Sequence, residues 1–204
     1  MRRWGAGTAA VVRLLIASDD PLTGVTIATM VGVTQPRASQ ILRQLADHDA
    51  ITATPDGYVG ERTKLLYLYA ARARPHLVEP ESYWYSTRPL ADQARRVLAL
   101  ASDHDVTVAF SADLAPDLIA PWRHPTVTIA YLDARLPIED AGLVPAEGRA
   151  DASLITRCGE AEGLPVADPC QQWWDLLDLG GEDRAEAADR LRTAIVERTI
   201  PRVR

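Results

Sequence analysis

Residues 33 to 45, VTQPRASQILRQL, constrain this chain more than any other stretch, because they fix both a helix and which side of it faces water. Ala38, Ile41, Leu42 and Leu45 fall at i, i+3, i+4 and i+7, a stripe about 100° wide that a helix buries against a core. Gly32 and Val33 predict a turn ahead of it. Thr34 stands where a cap residue offers its side-chain oxygen to the free N–H groups of the first turn, and Pro36 sits where a missing donor costs little. Burying the stripe turns Gln35, Arg37, Ser39, Gln40 and Arg43 outward. These amide, guanidinium and hydroxyl groups, with no carboxylate before Asp47, are the types that bond phosphate oxygens and base edges. The free N–H groups at the helix start add a weak positive field.

The flanking segments supply a context for that helix. From Thr8 to Ser18, Val11, Leu14 and Leu15 follow helical spacing until SDDP ends the pattern. VTIATMVGV predicts a short second helix with Val25, Ile27, Met30 and Val31 as its apolar positions, closed by a left-handed Gly32. After the third helix, AITATPDGYVGERTK predicts two short strands around a Pro-Asp-Gly turn. Helix, helix, turn, helix, hairpin is the order of a winged helix-turn-helix, whose third helix enters the major groove. In that reading Arg62 and Lys64, just past the hairpin, and Thr34 hold phosphates.

Net charge is −6, which argues against a polyanionic partner until the chain is divided. Residues 1 to 75 carry nine Lys and Arg against six Asp and Glu, a net of +3, and the remainder carries −9. Such asymmetry places a nucleic-acid partner at the N-terminus. No apolar run reaches the roughly 18 to 20 residues of a membrane span, and AAVVRLLIA is broken by Arg13. With no cleavable leader pattern at the start, the expected location is the cytoplasm. Cys158 and Cys170 are too few for a disulfide framework and lack metal-ligand spacing, so they are expected to be reduced and structural.

Beyond Pro75 the pattern changes. A Pro-rich linker is expected over 76–89, with Tyr83, Trp84 and Tyr85 filling a junction between segments. PLADQARRVLALASDHD predicts a helix through Leu90, Ala94, Val97, Leu98 and Ala101. VTVAF, TVTIAYL and ASLIT then predict three strands, with SADLAPDLIAPW a short helix between the first two. LPVA is expected to be extended, Asp168 to cap a helix opened by Pro169 with Trp173, Leu176 and Leu177 inward, and EDRAEAADRLRTAIVER to form the last helix. The fold class expected is α+β, mixed: a winged helix-turn-helix at 1–75, the linker at 76–89 and a small α/β domain at 90–204.

Taken in order, GVTQPRASQILRQL, YWYS and GLPVADPCQQWWDLLDLGGEDRAEAADRLRTAI resemble the AbiEi-type antitoxins and regulators of type IV toxin-antitoxin systems. The resemblance covers most of the chain, through motifs that are mainly structural. It implies a repressor that binds double-stranded promoter DNA, with a functional link to a nucleotidyltransferase-like toxin encoded beside it and binding as a homodimer or cooperatively on repeats. Phe110-Ser111 departs from the small Ser-Gly or Thr-Gly pair that related chains show at this turn.

Other chemistry finds less support. Polymerase-like nucleotidyl transfer needs a closely spaced carboxylate pair to hold metal ions, whereas Asp113, Asp117 and Asp133 include no Asp-x-Asp. The four His residues have no paired spacing for a metal, and no nucleophile elbow, P-loop or Rossmann glycine pattern occurs. The reading is therefore a DNA-binding regulator with no catalytic group, metal or cofactor. The alternatives are a protein-interaction or small-ligand-sensing module whose winged helix serves docking, and a degenerate nucleotidyltransferase.

Overall fold

The computed structural model describes residues 4–73, 80–114, 125–158 and 167–199, and over them the chain is a mixed α+β protein with two sheets. Its contacts divide it into two compact units, Met1–Arg74 with Ile195–Arg198, and Pro75–Ala194 with Thr199–Arg204. Most of the helix expected in SADLAPDLIAPW and most of the extended LPVA lie outside the described residues.

The first unit packs α1 (Ala6–Ala17), α2 (Gly24–Val31), α3 (Gln35–Ala46) and α4 (Arg62–Arg72) around a core with a hairpin of β1 (Ile51–Thr54) and β2 (Gly57–Gly60). Val11, Val12, Leu15 and Ile16 of α1 are buried beside Ile27, the α3 stripe, and Leu65, Leu66 and Tyr69. The stripe expected in α3 is the one observed: Ala38, Ile41, Leu42 and Leu45 are all buried. Gly32 closes α2 at φ +71, the left-handed region that glycine enters without a Cβ penalty.

The hairpin pairs Thr54 with Gly57, leaving Pro55 and Asp56 as a two-residue turn. Leu22, between α1 and α2, joins it: the Leu22 N–H donates to the Tyr58 carbonyl at 3.0 Å and the Tyr58 N–H to the Leu22 carbonyl at 2.9 Å. Gly57 makes this approach possible, because at φ +140 a Cβ would stand 2.6 Å from the Leu22 carbonyl carbon.

Two local expectations are corrected. Thr34 stands at the cap position of α3 but makes no side-chain cap bond; Pro36 removes one of the two N–H groups a cap oxygen can accept from. In α2, Val25 and Met30 are 57% and 62% exposed while Ile27 and Ala28 are buried. Eight residues make only two turns, and the core takes one narrow strip of them.

The second unit is built on a five-stranded sheet in the order β4-β5-β7-β3-β6, with β3 Ser82–Tyr85, β4 Val108–Ala112, β5 Thr128–Leu132, β6 Val144–Pro145 and β7 Leu154–Cys158. β5 and β7 are parallel; the other neighbours are antiparallel. One face carries Val108, Phe110, Ala130, Leu132 and Leu154 against Val97 and Ala101 of α5 (Leu90–Asp103) and against the 3-10 turn Ile138–Ala141. The opposite face carries Ala109, Ile129, Tyr131 and Ile155, beneath α6 (Pro169–Leu179). Asp168 caps α6 through the Cys170 N–H at 2.8 Å, with Pro169 in its first turn. The last helix, α7, runs Glu182–Glu197.

YWYS is a strand rather than part of a linker: Ser82, Tyr83 and Trp84 pair with Thr156, Ile155 and Leu154. Its flanking prolines hide it in the sequence, since they read as loop punctuation while marking only the strand's ends. Leu98 and Leu177 are 43% and 45% exposed rather than inward, and the inward positions of α6 include Trp174 and Asp175.

Candidate nucleic-acid interface

Above the buried stripe, Gln35, Arg37, Ser39, Gln40 and Arg43 are all exposed, and so is Thr34 at the helix start. Gln44, not singled out from the sequence, is exposed as well and lies seven residues from Arg37, on the same side of the helix as Gln40. From Pro21 through Ala46 the chain holds no Asp or Glu. α2, the turn and α3 therefore present no carboxylate to an approaching phosphate.

Arg37 is held in place. One Nη2–H donates to the hydroxyl of Thr8 at 3.1 Å and one Nη1–H to Gln40 Oε1 at 2.7 Å. Thr8 lies in α1 and is 3% exposed, so the guanidinium is tethered to the core of its unit. Three of its five N–H donors remain for a ligand, in a plane fixed beforehand. Arg43 donates through Nε to the Ser39 carbonyl at 3.4 Å, which folds it back along the same face.

The two cations beyond the hairpin differ. Lys64 donates one N–H to the Asp49 carbonyl at 3.0 Å and keeps an exposed ammonium. Arg62, expected to hold a phosphate, is instead turned inward: Nε donates to the Ile16 carbonyl at 2.8 Å, and Nη2 to the Ser18 carbonyl at 2.7 Å and to Asp19 at 3.1 Å. The last carbonyls of α1 lack intrahelical partners, and a guanidinium fork satisfies them well.

A second polar constellation, unsuspected from the sequence, lies between the sheet and α6. Arg157 of β7 is 1% exposed and Asp175 of α6 is 0% exposed, with Arg157 Nη1 2.5 Å from Asp175 Oδ1. The hydroxyl of Tyr131 donates to the same carboxylate at 2.8 Å, and Ser111 of β4 donates to its other oxygen. Arg157 also reaches Glu81 at 2.7 Å and Asp178 at 3.1 Å, and Arg149 bridges those two acids at 3.0 and 3.1 Å. Burial pushes the Asp175 carboxyl above its usual range, against the pull of Arg157 and the hydroxyl donors. Burial also raises Glu81, but Arg157 and Arg149 overcome it and hold that carboxyl below its usual range. The available signals were a charge inside the apolar run SLITRC and an acid between Trp174 and Leu176. Both read as element ends or surface positions until the strand and helix are stacked.

Two of the three acids considered for nucleotidyl transfer have partners in the structure. Asp113 is 1% exposed and accepts from Arg184 Nε at 2.9 Å and from the backbone N–H of Thr126 and Val127 at 3.0 and 3.2 Å. Asp133 accepts from the Thr107 N–H at 2.9 Å, and Asp117 lies outside the described residues. Among the described residues no three His, Cys, Asp or Glu side chains stand together as a metal site, and no helix is long and apolar enough to cross a membrane. Compared with known proteins, the chain matches no family model and no curated sequence.

Proposed function

We propose that the chain is a sequence-specific regulator that binds double-stranded DNA through α3. The observation that carries this reading is the carboxylate-free outer face of α3, with Arg37 tethered by Thr8 and Gln40, above a fully buried stripe. The order of α1, the Leu22 rung, α2, a three-residue turn, α3 and a hairpin supports a winged helix-turn-helix, in which α3 lies in the major groove. Arg37 and Arg43 suit guanine O6 and N7, Gln40 and Gln35 suit adenine, and Ser39, Thr34 and Lys64 suit phosphate oxygens. Arg62, bonded to the carbonyls at the end of α1, is not counted among these contacts. The resemblance to AbiEi-type antitoxins extends the proposal to repression at the chain's own promoter.

Arg37→Ala combined with Arg43→Ala is expected to abolish retention of promoter DNA in a mobility-shift assay while the variant still folds, its unfolding midpoint lowered only by the lost bond to Thr8. Binding of the unaltered protein is expected to weaken steeply between low and physiological salt, because phosphate neutralisation releases counterions. Normal retention by the folded double variant, or a flat salt response, rejects the assignment.

A further inference from the structure

The buried stripe of α1 contains Thr8, Val11, Val12 and Leu15, at i, i+3, i+4 and i+7, and its first position carries a hydroxyl. Elsewhere among the described residues of the first unit, the buried side chains are aliphatic or the aromatic Tyr69. An apolar residue at position 8 would serve packing better, because a buried hydroxyl lowers stability unless it is bonded. The bond Thr8 makes crosses to α3: its Oγ1 accepts from Arg37 Nη2 at 3.1 Å. The first turn of α1 comes close to the start of α3 at Gly7, where an added Cβ would stand 3.0 Å from the Val33 side chain. An exposed arginine is thus anchored on a residue that is 3% exposed and stands 29 positions earlier in the chain.

Gln40 Oε1 accepts from the other terminal nitrogen of Arg37 at 2.7 Å, so both ends of the guanidinium plane are held. A free arginine loses rotamer freedom when it makes a directional contact, and here Thr8 has removed part of that freedom before any ligand arrives. Such preparation gains little where a cation meets a phosphate as a charge, since many orientations serve. It matters for a contact that needs two parallel N–H groups in one plane, which guanine requires through O6 and N7. Arg37 is the third residue of α3, in the N-terminal part of the helix, whose residues meet base edges when such a helix lies in the major groove.

We propose that Thr8 is a positioning residue, whose hydroxyl sets the plane in which Arg37 reads one guanine. The inference rests on the reading of α3 as a DNA-contacting helix, and it assigns a sequence-discriminating role to a buried side chain that itself touches no DNA.

The full chain selects duplexes from a random-sequence pool, and the enriched duplex is remade with each guanine in turn replaced by 7-deazaguanine, which keeps base pairing and lacks N7. Affinities are read by fluorescence anisotropy. One replacement is expected to weaken the unaltered chain about tenfold and Arg37→Ala hardly at all. In Thr8→Val, which keeps the shape of threonine without its hydroxyl, the same replacement is expected to cost under about threefold. Thr8→Ser is expected to restore the tenfold ratio. A merely structural Thr8 would lower the unfolding midpoint and leave that ratio unchanged. An unchanged ratio in Thr8→Val, or an enriched duplex in which no guanine behaves this way, overturns the inference and leaves the reading of α3 standing. A pool from which no duplex is enriched overturns both. Should Thr8→Val not fold, Thr8→Ala carries the test.

Discussion

Arg37 and Arg157 show how context divides one side-chain type. Arg37 is fastened on one edge by Thr8 and Gln40 and keeps an outer edge for solvent, as the proposed contact with DNA requires. Arg157 is enclosed by Asp175, Tyr131, Glu81 and Asp178 and lies over the Trp174 ring at 5.4 Å, the disposition of a structural tie between sheet and helix. Removing one member of a buried pair strands its partner's charge, so Arg157→Met is expected to cost about 3 to 5 kcal/mol of stability. Arg149, whose side chain is 38% exposed, meets two of the same acids through solvent-screened contacts, and Arg149→Ala is expected to cost under about 1 kcal/mol. Chemical denaturation of the two variants checks the contrast, and equal losses would show that the buried acids do not depend on Arg157.

Between elements, the hairpin depends on one glycine. Gly57 gives β2 its φ of +140 and lets Leu22 bond Tyr58 on both sides, which ties the link between α1 and α2 to the hairpin. Gly57→Ala meets both a disfavoured backbone region and a 2.6 Å contact with main-chain atoms that cannot swing aside. Its expected cost is more than about 2 kcal/mol, read as a lowered midpoint in urea. A neutral result would mean that the Leu22 rung is absent in solution. The equivalent change at Gly5, where no atom lies within 4 Å of an added Cβ, serves as the control.

Across the whole molecule, the charge divides by sequence position: the first 75 residues carry +3 and the rest −9, although only part of the acid excess faces water. Glu81 belongs to the half-hidden fraction, held by Arg157 and Arg149. Because its folded-state pKa lies below the usual 4.5, its contribution to stability is full above that value and is lost as the pH falls through the folded value. Denaturation midpoints between neutral pH and pH 3 are therefore expected to fall more steeply for the unaltered protein than for Glu81→Gln. Parallel pH profiles would show that this carboxyl is not perturbed.

Periodicity alone determined α1, α3, α5, α6 and α7 to within a few residues, together with the left-handed Gly32 and the cap at Asp168, because these depend on neighbours a few positions away along the chain. The outward face of α3 was legible for the same reason: once Ala38, Ile41, Leu42 and Leu45 are buried, helical geometry leaves the other residues no choice. Tertiary structure decided what depends on residues far apart in sequence. It turned YWYS into a strand, because β7, about seventy positions on, supplies its hydrogen bonds. It drew Arg62 into the end of α1 and buried Arg157 beside Asp175. A sequence displays its local turns directly, whereas a charge inside an apolar run acquires its meaning only from the partner that folding brings to it.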